Sequence, residues 1–153
     1  MGIELQAIGT VHSTRNTVFD DDWDRETTWI ALDARFSEDA LASIGQFSHV
    51  EVIFLMDQVR PEQIVSGARH PRNNLDWPAV GIFAQRGKNR PNRLGLSVCR
   101  LLEVDGLRLR LEGLDAVDGT PVLDIKPWVR EFGPRGEVHQ PAWMDELMRG
   151  YWG

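Results

Sequence analysis

Short runs of alternating apolar and polar residues, separated by turn-forming residues, dominate this chain. Ile3 to Val11, Thr27 to Leu32, Val50 to Met56, Val80 to Gln85, Leu96 to Val104 and Leu107 to Leu114 each read as a strand. The last run is the clearest. In Leu107-Arg108-Leu109-Arg110-Leu111-Glu112 every second residue is Leu, so one face is apolar and the other wet. Asp105-Gly106 joins the last two runs, and an Asp-Gly pair in that position favours a tight hairpin whose central residues need positive φ. A second turn at Asp118-Gly119 leads into a stretch that reads as an edge strand terminated by Pro127. Helical spacing is scarce. Ser37 to Gly45 predicts one short helix, with Ser37 as cap and Ala40, Leu41 and Ile44 as a narrow apolar stripe. Pro141 to about Arg149 predicts another, with Pro141 in the first turn and Gly150 as the stop. Trp143, Leu147 and Tyr151 recur at four-residue spacing, so this tail should dock on something apolar: its own barrel or a second subunit.

Two long stretches stay irregular, Ser13 to Glu26 and Gln58 to Pro78, and loops of that length in a small domain usually carry function. Many strands and few helices predict a mainly β chain, a small closed or nearly closed β-barrel with one or two short helices. The barrel is expected over about residues 3–130 and a helical tail over about 137–153, together one domain of 153 residues.

Composition narrows the class only slightly. No apolar run approaches the roughly 20 residues of a membrane-spanning helix. The opening Met1-Gly2-Ile3-Glu4-Leu5 lacks the layout of a secretion signal. A single cysteine, Cys99, excludes an intrachain disulfide and fits a reducing, cytoplasmic setting; its apolar surroundings suit a buried, inert thiol. The net charge of −6 argues against a general nucleic-acid binder. Charge is nevertheless segregated. Acidic residues cluster at Asp20-Asp21-Asp22 and Asp24, whereas Arg60, Arg69, Arg72, Arg86, Lys88, Arg90 and Arg93 face only Glu62 and Asp76. A local basic surface on an acidic protein follows.

The familiar glycine-rich nucleotide loops and the nucleophile elbow are missing, and His12, His49, His70 and His139 have no metal-ligand spacing, so no metal is expected. Chemistry concentrates in two segments. Gly81 to Ser97 ends a strand and delivers Arg86, Lys88, Arg90, Asn92 and Arg93 into a loop held by Gly87, Pro91 and Gly95. Forked guanidinium donors suit carboxylate or phosphate, although a merely solvated loop has the same composition. The other segment, Gly113 to Pro127, reads equally well as a plain turn before a strand or as a pocket lined by backbone groups and the Asp118 carboxylate.

Taken together, Phe83-Ala84-x-Arg86, Arg90-Pro91-Asn92, Gly95-Leu96-Ser97 and Asp118-Gly119-Thr120-Pro121-Val122-Leu123-Asp124-Ile125-Lys126-Pro127 resemble the hallmark of the TrmO (TsaA-like) family. Ile8-Gly9-x-Val11-x-Ser13 and Phe47-Ser48-His49 fall in the same order, so the resemblance runs from about Ile8 to Pro127. It implies a TsaA-like β-barrel, a homodimer and a non-Rossmann site for S-adenosyl-L-methionine. The cofactor residues it implies are Asp57 and Gln58 after the central strand, Arg86, Leu96, and the turn Asp118, Gly119, Thr120 and Pro121. Arg86 would suit the cofactor carboxylate and Asp118 or Asp57 a cationic group. Lys88, Arg90, Asn92 and Lys126 are the corresponding substrate contacts, with a strand-anchoring salt bridge as the other reading of Lys126.

Three features depart from the family pattern. Asp57 stands where His is common, Arg15 to Glu26 contains no Pro-Arg-Gln segment, and the additional C-terminal domain of longer members has no counterpart here. The implied reaction is methyl transfer to the exocyclic nitrogen of N6-threonylcarbamoyladenosine beside the tRNA anticodon. That nitrogen is a poor nucleophile, so catalysis would rest mainly on positioning in a dry pocket. The catalytic base is not named by the sequence. Trp23, Trp77 and Trp128 could stack on unpaired bases, or simply pack into the core or a dimer interface. A methyltransferase with another substrate, a sensor that binds the cofactor without turnover, and a plain interaction protein remain the alternatives.

Overall fold

Alternation at the strands sets which side chains meet inside. The computed structural model describes residues 2–153. Its strands are β1 (Gly9–Ser13), β2 (Thr28–Leu32), β3 (His49–Leu55), β4 (Ala68–Arg69), β5 (Val80–Gly81), β6 (Leu94–Asp105), β7 (Arg108–Glu112) and β8 (Pro121–Pro127). Six of them close into a barrel in the order β1-β2-β7-β6-β3-β8, with antiparallel neighbours throughout; β4 and β5 form a separate small ribbon. Val50, Val52 and Phe54 of β3 point inward and pack with Val11, Ile30, Cys99, Leu109, Leu111 and Val122. Burying each such side chain contributes about 1.5–3 kcal/mol, and closure leaves the barrel strands without open edges.

Strand β6 makes closure possible. Its first half pairs with β3, from Leu55↔Leu94 to His49↔Arg100, and its second half pairs with β7, from Arg100↔Glu112 to Asp105↔Arg108. The register shifts between Leu101 and Glu103, and such a bulge bends a strand from one neighbour toward the next.

Four sequence expectations change. The strand predicted from Ile3 begins only at Gly9, opposite Leu32 where β2 ends; residues 2–7 are exposed and join no ladder. The run Val80 to Gln85 is a strand only at Val80–Gly81 and then coils into a 3₁₀ turn, Ile82–Ala84, which buries Ile82. Ser37 to Gly45 forms two 3₁₀ turns rather than a helix. They break at Ser43 (φ 68°), and Ser37 makes no side-chain cap bond. Only Leu41 of that stripe is fully buried, too little packing to hold a short α-helix. Finally, β8 is not an edge strand: β1 lies on one side and β3 on the other. Its prolines, Pro121 and Pro127, sit at the two ends, where a missing N–H leaves the ladder intact.

The predicted tail helix is present as α1 (Ala142–Met148), with Pro141 at the cap rather than in the first turn. It docks on its own chain: the Trp77 indole N–H donates to the Glu146 carboxylate at 2.8 Å. No helix is long and apolar enough to cross a membrane among the described residues.

Candidate cofactor and substrate site

Antiparallel closure sorts the connections. Residues 14–27 between β1 and β2, 56–93 between β3 and β6, and 113–120 between β7 and β8 all emerge at one end of the barrel, because β1, β3 and β7 all run toward it. The two stretches predicted to be irregular therefore share that end with the turn at Asp118-Gly119. The opposite end holds the two 3₁₀ turns after Ser37 and the β6–β7 hairpin, whose loop is Gly106-Leu107 closed by Asp105 and Arg108 and not the expected Asp105-Gly106. Beside them is an apolar cleft of about 230 Å³ between Ile8, Leu32, Phe36 and Leu41.

The Asp118 turn is zipped onto β1. The Asp118 N–H donates to the Arg15 carbonyl at 2.7 Å and the Ser13 N–H donates to the Asp118 carboxylate at 3.0 Å. Gly119 has φ 86°, donates its N–H to the Val11 carbonyl at 2.8 Å, and has nothing within 4 Å of where a Cβ would sit. The Thr120 hydroxyl donates back to the Val117 carbonyl at 2.7 Å, so the turn is preorganised before any ligand arrives. Asp118 and Gly119 remain exposed, while Thr120 is buried and Pro121 half-buried.

The arginine loop is built from buried anchors. Ile82 and Gln85 point inward, and the Gln85 amide donates to the carbonyls of Arg69 (3.2 Å) and Val80 (2.9 Å). Phe83 and Arg86 are consequently directed to solvent. A 2.6 Å bond joins the Arg86 guanidinium to the Leu96 carbonyl on β6. Arg90 closes the loop on itself, donating to the carbonyls of Gln85 (2.7 Å) and Gly87 (3.3 Å). Arg93 donates to the Val59 carbonyl at 2.9 Å, and the Met56 N–H donates to the Arg93 carbonyl at 2.8 Å. Those two bonds tie the exposed Asp57-Gln58 turn to the arginine loop. Lys88 and Asn92 lie on the same loop, Lys88 half-buried and Asn92 exposed. Thus Asp57, Gln58, Arg86, Lys88, Arg90, Asn92 and Leu96 lie at the same barrel end as the Asp118 turn that precedes β8. Lys126 does not join them. It lies about 17 Å along β8 from Pro121, paired in register with Glu51, and its ammonium is 4.0 Å from Asp124.

Residues 14–133, well over half of the chain, match the family model of the tRNA-methyltransferase O N-terminal domain. The chain belongs to this family. A human tRNA (adenine(37)-N6)-methyltransferase is 36% identical over 104 residues, covering 68% of this chain and 23% of that protein. A protein from Archaeoglobus fulgidus named as a probable S-adenosyl-L-methionine-binding protein is 32% identical over 150 residues, 95% of this chain and 39% of that one. The crystal structure of TrmO from Pseudomonas aeruginosa superposes with a TM-score of 0.72 at 30% identity, covering 91% of this chain and 62% of the other. The chain thus spans less than half the length of these curated relatives.

Inside the family span, sequence reasoning missed two arrangements. Arg15, 3% exposed, holds the first long loop together from within. Its guanidinium is sandwiched between the rings of Phe19 and Trp23, 3.8 Å from each centroid. It also donates to Glu26 (2.9 Å) and to the carbonyls of Phe19 (3.3 Å) and Asp22 (2.8 Å). Trp23 therefore stacks on protein, and Trp128 packs edge-on against His49. The one available signal was a single Arg among Phe19, Trp23 and a run of acids. Equally unforeseen is Asp115, which accepts hydrogen bonds from the hydroxyls of Ser97 and Tyr151. Among the described residues, Arg69 leaves its buried Nε without a partner, and its guanidinium lies 3.5 Å from where a side chain on Gly87 would begin. Cys99 is buried as expected, and burial pushes its thiol well above the ordinary range, with the Asp115 charge adding to the effect. Among the described residues no cluster of three metal-ligating side chains forms.

Proposed function

We propose that this protein is an S-adenosyl-L-methionine-dependent methyltransferase acting on the exocyclic nitrogen of N6-threonylcarbamoyladenosine next to the tRNA anticodon. The observation that carries the reading is that the Asp118–Pro121 turn, Arg86 on the Leu96 carbonyl, and the Asp57-Gln58 turn share one barrel end in a chain of the tRNA-methyltransferase O N-terminal domain family. The donor set fits the cofactor. Arg86 offers an exposed fork for a carboxylate, Asp118 and Asp57 offer exposed carboxylates for a cationic centre, and the open Gly119 leaves room for a flat ring against backbone. When bound, the cofactor supplies an electrophilic methyl group on a sulfonium.

The chain's own task is then orientation and exclusion of water, since the accepting nitrogen is delocalised into its ring and carbamoyl group. Lys88 and Asn92 would hold the threonyl carboxylate or a neighbouring phosphate. Barrel and tail act in this reading as one domain, working in the cytoplasm where tRNA is modified, and as a homodimer. For the dimer, Leu94, Leu96, Val98, Leu102 and Val104 form an outward stripe on β6, each between 37 and 49% exposed. Arg100 interrupts the stripe between Val98 and Leu102, but two apolar patches of this kind on one strand suit a self-complementary contact.

The deciding experiment incubates the protein with methyl-labelled S-adenosyl-L-methionine and tRNA, with and without prior threonylcarbamoylation. Label is expected only in the threonylcarbamoylated tRNA. A second reading, a cofactor-binding sensor without turnover, is favoured by one observation: Arg86, Arg90 and Arg93 are all engaged by backbone carbonyls of their own chain. Tight cofactor binding without label in any tRNA would overturn the tRNA assignment and leave the sensor or a methyltransferase with another substrate.

A further inference from the structure

The segment that follows α1 lies outside the residues matched by the family model, 14–133, yet it is built into the site. It runs alongside the first long loop, where the N–H groups of Asp22, Trp23 and Asp24 donate to the carbonyls of Gly150, Tyr151 and Trp152 at 2.9, 3.0 and 2.7 Å. The two rings pack edge to face, 5.0 Å between centroids, and the Trp152 ring covers the Gly113 turn. Tyr151, the only tyrosine in the chain, is thereby inserted hydroxyl first. Its hydroxyl donates to one oxygen of Asp115, and the hydroxyl of Ser97 donates to the other. Ser97 is buried in β6 directly after Leu96, whose carbonyl receives Arg86. Burial first, and then the Asp115 carboxylate, push the Tyr151 hydroxyl above its ordinary range, so it stays a donor; the Arg86 and Arg72 guanidinium groups are close enough to oppose this.

We propose that Tyr151 is a positioning residue for the cofactor site: it fixes Asp115, Asp115 fixes Ser97, and the Leu96 carbonyl is thereby held where Arg86 is oriented toward a carboxylate-bearing ligand. The segment Gly150–Trp152 is the strap that delivers it. This rests on the cofactor reading above and adds to it a residue outside the family span. An anchor that merely stabilised the tail would lower the melting temperature and leave ligand affinity alone. A positioning group acts through Arg86, so its effect vanishes once Arg86 is gone.

Calorimetric titration of S-adenosyl-L-methionine into wild type, Tyr151→Phe, Arg86→Ala and the double variant, with the melting temperature of each, separates these cases. Tyr151→Phe should weaken binding about tenfold, the scale of a lost hydrogen bond to a charged group. The double variant should bind no more weakly than Arg86→Ala alone. Affinity unchanged in Tyr151→Phe, or penalties that multiply in the double variant, would overturn the proposal. Should Tyr151→Phe fail to fold, Ser97→Ala keeps the strap docked and tests the same link: similar weakening supports it, unaltered affinity defeats it. If wild type itself does not bind the cofactor, the underlying reading fails together with the proposal. If wild type binds and the variants match it, only the role of Tyr151 is lost.

Discussion

A buried arginine is costly unless every donor finds a partner, and Arg15 shows how that requirement organises a loop. Two aromatic faces, one carboxylate and two carbonyls surround it, and its own carbonyl receives the Asp118 N–H. Replacing Arg15 by Ala strands Glu26 and empties the space between two rings. Chemical denaturation should show a loss of about 3 kcal/mol. Arg15→Lys keeps the charge but not the planar fork, and should recover less than half of that loss. Glu26 is held below its ordinary value of 4.5 by the Thr14 hydroxyl and by Arg15, against the burial that would raise it. A lowered folded-state value means that this contribution is complete above pH 4.5 and disappears as the pH falls below it. Unfolding curves across the acid range should therefore flatten in Glu26→Gln relative to wild type; an identical acid response would show that the pair does not contribute.

At the scale of elements, the β3–β6 pair decides whether the arginine loop and Leu96 are presented at all. Gly95 faces Phe54 across this pair, and a Cβ on Gly95 would fall 2.3 Å from the Phe54 ring. Here glycine is required by space, not by its torsions. Gly95→Ala must displace a core ring at the mouth of the site and should cost about 3 kcal/mol in equilibrium unfolding. Coupling Gly95→Ala with Phe54→Leu should return most of that stability, because the smaller side chain vacates the contact. No recovery in the double variant would place the strain elsewhere. Elements were legible where periodicity was strict. Leu109 and Leu111 of β7 point inward as their spacing requires, whereas the apolar Ile82 and Phe83 look like strand in sequence and part company at a turn, one buried and one exposed. Local composition cannot tell which of two adjacent apolar residues the fold will use.

Across the whole molecule, the net charge of −6 and the exposed stripe on β6 describe how the protein meets other molecules. Val98 lies on that stripe directly opposite Glu51. Val98→Arg gains a cross-strand partner in the monomer while placing a charge in the proposed self-contact. Analytical ultracentrifugation should find wild type dimeric and Val98→Arg monomeric, with melting temperatures close together. A wild-type protein that sediments as a monomer would remove the dimer from the proposed function.

The sequence by itself determined the barrel class, the burial of Cys99 and a tight hairpin between β6 and β7, although its loop is Gly106-Leu107, closed by Asp105 and Arg108 with only Gly106 at positive φ, rather than Asp105-Gly106. These depend on side-chain periodicity and on turn residues with few conformational options, both local properties. Tertiary structure alone decided that β8 is an internal strand, that the stretch from Ser37 coils as 3₁₀, and that Arg15 is caged. It alone also joined Tyr151 to Asp115, Asp115 to Ser97, and Arg86 to Leu96. The neighbours of β8 and the Tyr151–Asp115–Ser97 contacts depend on partners far along the chain. The Arg15 cage and the Arg86–Leu96 bond, though their partners lie within a dozen residues, depend on how the loops fold back and not on any period of apolar positions. No local pattern encodes which carboxylate a tyrosine will reach once the barrel has closed.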